Sequence, residues 1–420
     1  KFMGELAFEF DGEKMPLSVL RGKLEDDDRE VRRRAAEAIG KTLGENSDTL
    51  DSIFDRLVKI RTTVARKLGF DNFVELGYCR MGRVDYDSAM VAEFRRSVEQ
   101  DIVPAVAAMK EDIRRRMGFD RIMYYDDAVS VSGEMPRPVI DESEIFRRAQ
   151  KMYDEMEPSI GEFMRRMQAA EAFDVEARDG KWGGGYCTTF PAYKQPFILA
   201  NFNGTSGDID VITHEFGHAL AADIMFKCSE PDYPVGMETH ECHSMSMEFL
   251  CHKWMDKFFG DKADKYRYKH IVDAFSFIPY GTIVDEFQHI VYENPDLTPA
   301  ERDAEYLKLE KKYRPYLSFE GIPYLENGTR WQYQMHIYES PFYYIDYCLA
   351  QCVALGFLGL SRADFADALD KYLTFLRATG SVSFGELVEG AGLKPPFEAG
   401  ALKEIAASSA EVIREVEKKI

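Results

Sequence analysis

The most constraining feature of this chain is a stretch near its middle, Val211-Ile212-Thr213-His214-Glu215-Phe216-Gly217-His218-Ala219-Leu220. His214 and His218 are four residues apart, so on an α-helix with 3.6 residues per turn both imidazoles leave the same face and can share one metal ion. Glu215 lies one position round the helix, where its carboxylate can hold a water molecule without binding the metal. The stretch therefore predicts a helix with a metal site. The plainest alternative is a buried helix with two hydrogen-bonded histidines.

A catalytic metal site that keeps one position for water usually takes three protein ligands. The candidates for the third lie in Met237-Glu238-Thr239-His240-Glu241-Cys242-His243-Ser244-Met245-Ser246-Met247-Glu248-Phe249. Glu241, Ser244 and Glu248 recur on one helical face, whereas His243 points elsewhere. We therefore predict Glu241 as the third ligand and Glu248 as a partner that fixes a ligand imidazole through its other nitrogen. The alternative ligands are His243, Glu238 and His240.

These two segments together resemble the oligoendopeptidase F and thimet oligopeptidase family of zinc metallopeptidases, nearer to its bacterial oligoendopeptidase branch. That family places two histidine ligands and a base in an HExxH motif, and its third ligand in a downstream Glu-x-x-Ser segment. The resemblance assigns the ligand roles to His214, His218 and Glu241 and the role of the base to Glu215. It implies one zinc ion per chain, although the same ligands would also take cobalt or manganese.

An aromatic segment toward the C-terminus, residues 332–347, contains one histidine and four tyrosines in its last twelve positions. His and Tyr side chains can donate hydrogen bonds to the oxyanion of amide hydrolysis, but they would equally suit a core helix with inward-facing rings. The segment resembles the family's His and Tyr-x-x-Tyr stretch. The resemblance implies that His336, Tyr344 and Tyr347 contact the substrate and the oxyanion, with Tyr347 as the main stabiliser. Tyr343 is an alternative to Tyr344.

The charge and cysteine content exclude some classes of partner and location. The formal net charge is −20 at pH 7, whereas nucleic acids and anionic membranes attract clustered Lys and Arg. No uninterrupted apolar run approaches the roughly 18 residues of a membrane span, and no signal peptide opens the chain. The seven cysteines are scattered without a CxxC pair, which favours free thiols in a reducing compartment. We expect a cytoplasmic location, although the chain begins at Lys1 rather than Met, which weakens the argument from the signal peptide.

Most of the remaining pattern is helical. Residues 5–10 alternate, Asp11-Gly12 supplies a turn and residues 15–20 return, which predicts a β-hairpin. Helical periodicity then extends to about residue 170, apart from an irregular stretch between Gly118 and Pro138 that predicts a linker or lobe boundary. Glycine-rich and apolar stretches at 180–190 and 196–203 predict two strands joined by a turn. Capping signals predict three later helices, which start at Thr298 with Glu301, at Ser361 for a helix over 362–378, and at Ser383 with Glu386.

The resemblance covers nearly the whole chain and implies a mainly α, multi-helical fold of the zincin type. It implies two helical lobes around a deep channel, with a small β-sheet beside the metal site. We expect an N-terminal helical lobe over 1–172 and a catalytic region over 173–420, which contains the sheet, the HExxH helix and the C-terminal helices. Family members usually carry a further N-terminal helical portion, so we expect the first lobe to be incomplete in this chain.

These features lead to the expectation of a zinc-dependent endopeptidase for short unstructured peptides, since the channel implied by the family would exclude folded proteins. A metallo-exopeptidase of the carboxypeptidase kind would need a fixed charge to hold a peptide terminus, and the sequence nominates no clear one. The alternative from another class is a catalytically silent helical protein that binds zinc. Glu215 argues against it, because a purely structural site gains nothing from a base beside the metal. The sequence leaves the oligomeric state open.

Overall fold

A computed structural model describes residues 2–133, 135–178, 181, 184–228 and 234–420. The described residues are mainly helical, as predicted, and their strands are few and short. The predicted strand over 180–190 lies partly outside the described residues, since Gly180, Trp182 and Gly183 are not among them. Within the two predicted stretches, Tyr186–Phe190 and Gln195–Leu199 form paired strands, and the second prediction is wrong over residues 200–203, which are not strand.

The elements are numbered in chain order. The α-helices are α1 (Phe2–Glu5), α2 (Leu17–Gly22), α3 (Arg29–Glu45), α4 (Ser47–Lys67), α5 (Phe73–Arg80), α6 (Ser88–Ser97), α7 (Val103–Met117), α8 (Glu142–Met156), α9 (Pro158–Ala169), α10 (Gly207–Met225), α11 (Met237–Leu250), α12 (Asp256–Phe259), α13 (Ala263–Glu293), α14 (Pro299–Tyr313), α15 (Pro323–Glu326), α16 (Met335–Glu339), α17 (Tyr344–Ala363), α18 (Phe365–Ala378), α19 (Phe384–Gly390) and α20 (Ala401–Glu417). The strands are β1 (Phe8–Phe10), β2 (Glu13–Met15), β3 (Ile122–Met123), β4 (Phe173–Asp174), β5 (Tyr186–Phe190), β6 (Gln195–Leu199) and β7 (Leu317–Ser318).

The chain forms two compact units, each built from two separate parts of the sequence. The first unit comprises Lys1–Met135 with Ser276–Cys348, and the second comprises Pro136–Phe275 with Leu349–Ile420. Helices α13 and α17 run from one unit into the other. The division at residues 172 and 173, which follows the change from a helical to a strand-like sequence pattern, stays a prediction about where the catalytic region begins.

The first unit has an apolar core around helix α3. Residues on one face of that helix, among them Ala36 and Leu43, are buried together with Phe8 of β1 and Ile322. Arg32 of the same helix is also buried, and its Nη2 lies 2.9 Å from Oδ1 of Asp126. Apolar packing and a buried ion pair therefore hold the N-terminal helices against the segment that follows β3.

The predicted N-terminal hairpin is present but shorter than expected. β1 and β2 pair antiparallel through Asp11 and Gly12, which both have positive φ, as a tight two-residue turn requires. The outer ends of the prediction are wrong, because Glu5 ends helix α1 and residues 17–20 begin helix α2. Pro16 precedes α2 and has no N–H to continue a ladder, while Leu20 is fully buried in the core on the helix.

The second unit places a three-stranded sheet beside helix α10. The strand order is β4-β6-β5, with β6 antiparallel to β5 and parallel to β4. Helix α10 contacts β5, β6 and α11. On α10 the ring of Phe216 stacks on Tyr153 of α8, with 4.0 Å between ring centroids, and lies 5.3 Å from that of Phe163 on α9. The sheet, the α8–α9 pair and α11 together fix the position of α10 within the unit.

The capping predictions are confirmed at two helices and wrong at one. Thr298 with Glu301 and Ser383 with Glu386 each form a capping box at the start of α14 and α19. Ser361 does not begin a helix, because α17 continues to Ala363 and the Ser361 hydroxyl donates to a carbonyl inside α17. Asp364 caps α18 instead, since its carboxylate accepts two backbone N–H groups.

One helix among the described residues, Tyr344–Ala363, is long and apolar enough to cross a membrane. Its most apolar part is 67% buried inside the protein. Burial of that extent is also found for core helices of soluble proteins, so the helix gives only weak support for a membrane span.

Candidate metal centre

Helices α10 and α11 touch at Gly217, the fourth residue of the HExxH motif. A Cβ atom at this position would lie 2.6 Å from the backbone oxygen of His243 and 2.7 Å from Cα of Ser244. Real Cβ atoms do not approach other atoms so closely, so the absence of a side chain lets the two helices come together here. The close approach brings the face of α10 that carries the histidines against α11.

Three predicted metal ligands converge where the two helices meet. Nε2 of His214 lies 3.4 Å from Oε2 of Glu241, and Nε2 of His218 lies 3.6 Å from the same oxygen. The ligand atoms of the three side chains all lie within 4.8 Å of one another. Among the residues that the structure describes, no other group of three or more His, Cys, Asp or Glu side chains meets this criterion.

Glu248 contacts His214 on the side of the imidazole that faces away from Glu241. Its Oε1 is 2.6 Å from Nδ1 of His214, and its Oε2 is 2.7 Å from Nε2 of His270 on helix α13. The first contact was predicted from the position of Glu248 on the helix face. The second was not, since no sequence spacing connects His270 to the motif.

Burial and hydrogen bonding set the ionisation of this group. Burial alone would raise the pKa of Glu241, but its contacts with His214 and His218 hold that pKa well below the usual value. Burial is likewise outweighed at Glu248, where hydrogen bonds from His214 and His270 bring the pKa to about 2. Both carboxylates are therefore ionised at neutral pH, as a cation site requires.

The alternative ligands have other surroundings. His243 is fully buried, and its Nε2 lies 3.0 Å from Oγ1 of Thr379. The pKa of His240 is about 4, because burial and the neighbouring His218 disfavour its charged form. Glu238 is buried and accepts a hydrogen bond from the Thr239 hydroxyl. None of the three belongs to the converging group.

Glu215 lies beside the cluster, and its side chain extends from α10 to the sheet. Its side chain is buried and makes a hydrogen bond with the backbone of Cys187 in β5. Burial raises the pKa of Glu215 above its usual value, and the neighbouring His214 and His218 oppose this effect only in part. A carboxylate with a raised pKa is a stronger base, and a general base is most effective when its pKa lies near the working pH.

The predicted aromatic residues form a cluster in the first unit. The ring centroid of His336 lies 4.9 Å from that of Tyr344, 5.9 Å from that of Tyr347 and 5.8 Å from that of Tyr343. Tyr343 and Tyr347 are 4.8 Å apart. Nε2 of Gln334 lies 2.6 Å from Nδ1 of His336 and so fixes the imidazole from one side. The structure therefore brings the three predicted tyrosines together around His336.

The donor set fits a zinc ion. Two imidazole nitrogens and one carboxylate oxygen are the usual protein ligands of a catalytic zinc site that keeps a fourth position for water. Nδ1 of His214 faces a carboxylate, so its proton belongs on that nitrogen and leaves the Nε2 lone pair on the side of Glu241. The same ligands would accept cobalt or manganese.

Similarity to known proteins extends along most of the chain. Residues 23–407 match the pattern of the family described as peptidase family M3. The oligopeptidase PepF of Bacillus subtilis (strain 168) is 23% identical over 392 residues, which cover 88% of this chain and 55% of PepF. The oligoendopeptidase F homolog of Borreliella burgdorferi (strain ATCC 35210 / DSM 4680 / CIP 102532 / B31) is 21% identical over 375 residues, which cover 85% of this chain and 60% of the homolog. The chain thus spans less than two thirds of the length of both relatives.

A solved structure supports the same relationship at higher identity. PZ peptidase A with inhibitor 2 is 45% identical in sequence, with a TM-score of 0.93. The alignment covers 100% of this chain and 75% of that one. The family pattern and this structural match agree, and the chain therefore belongs to peptidase family M3.

Proposed function

We propose that the chain is a zinc-dependent metallopeptidase that cleaves internal bonds of short, unstructured peptides. The observation that carries the proposal is the convergence of His214, His218 and Glu241, with Glu215 next to them on the same helix. Two relatives are named oligopeptidase and oligoendopeptidase, which supports peptides as the substrate class. One zinc ion per chain would be held by the three converging side chains.

The protein's own groups then have distinct roles in hydrolysis. A bound zinc ion supplies Lewis-acid polarisation and lowers the pKa of a water molecule. Glu215 accepts the proton of the attacking water and passes it to the leaving amine. Its raised pKa makes the Glu215 carboxylate a stronger base toward the attacking water, and general acid–base catalysis is most efficient when the pKa lies near the working pH.

The aromatic cluster of the first unit supplies hydrogen-bond donors. In this proposal Tyr347 and His336 donate to the oxyanion, and Tyr344 contacts the substrate. Burial holds the pKa of Tyr344 well above its usual value, so its hydroxyl keeps its proton and remains a donor. The grouping of the rings around His336 supports a common task for these side chains.

The proposal also includes the location and the partners. A net charge of −20 disfavours nucleic acids and anionic membrane surfaces as partners. The seven cysteines of the chain, all of them among the described residues, form no disulfide bond, which supports a reducing compartment such as the cytoplasm. Short peptides are thus the proposed partners.

The test is hydrolysis of an internally quenched peptide that is blocked at both ends. Purified protein should cleave it at an internal bond, lose this activity to a chelator and regain it with zinc. An exopeptidase would leave the doubly blocked peptide intact but release terminal residues from an unblocked copy of the same sequence. A catalytically silent zinc protein would bind the metal and cleave neither peptide.

A further inference from the structure

The carboxylate of Glu248 is shared by two imidazoles on different helices. His214 of α10 contacts one oxygen at 2.6 Å, and His270 of α13 contacts the other at 2.7 Å. The Glu248 side chain is only 13% exposed, and a buried carboxylate has to be hydrogen-bonded to remain charged. His270 therefore satisfies the oxygen that His214 leaves without a partner.

Packing fixes the orientation of the His270 ring. It lies close to parallel to the rings of Phe249 and Tyr266, with centroid distances of 4.8 and 5.7 Å and interplanar angles of 27° and 23°. The Tyr266 hydroxyl in turn donates to the carboxylate of Asp210, one turn before His214 on α10. The ring of His270 is thus held in plane by two aromatic neighbours, one of which is hydrogen-bonded to helix α10.

A third histidine determines which nitrogen of His270 carries the proton. Nε2 of His252 lies 2.7 Å from Nδ1 of His270, and the backbone oxygen of His252 accepts a hydrogen bond from Nε of Arg267 at 2.7 Å. If His252 donates to Nδ1 of His270, then His270 donates from Nε2 to Glu248. Each N–H group in this series of hydrogen bonds then has an acceptor, and Nδ1 of His214 keeps its proton.

We propose that His270 is a positioning residue for the metal centre, which acts through Glu248 on the ligand His214 and is itself oriented by His252. This role rests on the proposed function. By holding the second oxygen of Glu248, His270 keeps the first oxygen on His214 and so fixes the tautomer and the direction of that imidazole. Partners of this kind contribute about 10–100-fold to metal affinity.

Two substitutions separate a hydrogen-bonding role from a packing role. His270→Phe keeps a flat ring between Phe249 and Tyr266 but removes the donor to Glu248. His270→Gln loses the ring but keeps an N–H that can reach the carboxylate. We expect zinc affinity, measured by competition with a chromophoric chelator, to fall about 10-fold or more in His270→Phe and to be partly restored in His270→Gln. The opposite order of the two variants would overturn the proposal in favour of packing.

Matched measurements keep the outcome interpretable. His289→Phe removes a buried imidazole from the same helix, one that contacts Tyr78 at 3.1 Å, and should leave zinc affinity unchanged. Should His270→Phe fail to fold, as judged by the Tm of metal-free protein, His252→Phe provides a second test and is expected to weaken zinc binding by a smaller factor.

Zinc binding without peptide cleavage by the wild-type protein would contradict the proposed function and leave the role of His270 intact. Unchanged zinc affinity in both His270 variants would contradict the role of His270 alone.

Discussion

Oε1 of Glu248 lies 2.6 Å from Nδ1 of His214, across the contact between helices α11 and α10. The carboxylate is ionised at neutral pH, because hydrogen bonds from two imidazoles outweigh burial and bring its pKa to about 2. An ionised carboxylate only accepts hydrogen bonds, so Nδ1 of His214 carries the proton and Nε2 presents its lone pair. The contact with Glu248 thus leaves the Nε2 lone pair of His214 available to a cation on the side of Glu241.

The ligand assignment predicts that Glu241→Gln abolishes tight zinc binding. The substitution keeps the size of the side chain but removes the charge that lies within 3.6 Å of both histidine nitrogens. Glu238→Gln on the same helix should bind zinc with unchanged affinity, since Glu238 does not belong to the converging group. Zinc content after dialysis, measured by atomic absorption, distinguishes the two. Loss of zinc in Glu238→Gln with retention in Glu241→Gln would identify the alternative ligand.

The close approach at Gly217 predicts a defect for Gly217→Ala. The added methyl group would meet backbone atoms of α11 at 2.6 and 2.7 Å, and backbone cannot move aside as a flexible side chain can. We expect a loss of stability of about 1–3 kcal/mol and weaker zinc binding, since the helices that carry His214 and Glu241 would separate.

The measurement for Gly217→Ala is the Tm of metal-free protein together with chelator competition. Gly385→Ala is the matched control, because a Cβ atom added at Gly385 would have nothing within 4 Å of it. Gly385→Ala should lower neither the Tm of the metal-free protein nor its zinc affinity. Wild-type Tm and zinc affinity in Gly217→Ala would show that the two helices do not depend on this contact.

A buried ion pair next to the aromatic cluster predicts a large stability effect in the first unit. Nη2 of Arg83 lies 2.5 Å from Oδ1 of Asp346, and each side chain is only 1% exposed. Asp346→Asn leaves the guanidinium without its counter-charge, which costs about 3–5 kcal/mol for buried pairs. Urea unfolding should show this loss. Glu30→Gln, which breaks an exposed pair with Arg33, should leave the unfolding free energy almost unchanged.

Asp346 lies between Tyr343 and Tyr347 in the sequence, at the start of α17. The backbone oxygen of Phe342, a residue with a φ of 67°, also accepts a hydrogen bond from Arg83 at 2.5 Å. If the tyrosines have the proposed role, Asp346→Asn should lower kcat for peptide cleavage beyond what its loss of folded protein explains. An unaltered kcat in the folded fraction would show that the ion pair between Arg83 and Asp346 does not contribute to catalysis.

The pH dependence of stability should include a contribution from Asp303. Burial raises its pKa to about 6, and the hydrogen bond from Trp331 Nε1, at 2.7 Å, opposes this only in part. The folded state then binds a proton more tightly than the unfolded state, so this contribution favours folding below about pH 4 and is lost as the pH rises through about 6.

Asp303→Asn removes the titration and keeps an oxygen that can accept from Trp331. We expect the Tm difference between the variant and the wild type to become more favourable to the variant as the pH rises from about 4.5 to about 7.5. Because every other titrating group is common to both proteins, the difference isolates Asp303. A Tm difference that does not change with pH would contradict the raised pKa.

The predictions from sequence succeeded where short-range rules decide the structure. The capping boxes at Thr298 and Ser383 depend on side chains three residues apart, and the mainly helical pattern follows from periodicity. The start of α18 was wrong because Ser361 and Asp364 are both acceptable caps, and the choice depended on how far α17 continues. The outer ends of the hairpin were wrong because burial of Leu20 favours a helix there over a longer ladder.

Sequence spacing predicts only which site residues share a face of one helix. Spacing within α10 and within α11 puts His214 with His218 and Glu241 with Glu248, and the resemblance to a family joined the two pairs. The contact of Glu248 with His270 could not be predicted in this way, because it depends on how α13 packs against α11. The roles of His336, Tyr344 and Tyr347 stay predictions that depend on the family.

The most direct test of the account is the cleavage rate of Glu215→Gln on the doubly blocked peptide, with its zinc content measured in the same preparation. The variant keeps the size of the side chain and the ligands His214, His218 and Glu241, so zinc should remain bound. We expect internal cleavage to fall about 10²–10⁴-fold, since removal of a general base has effects of that size. Wild-type cleavage by the zinc-loaded variant would contradict the role of Glu215 and with it the proposed mechanism.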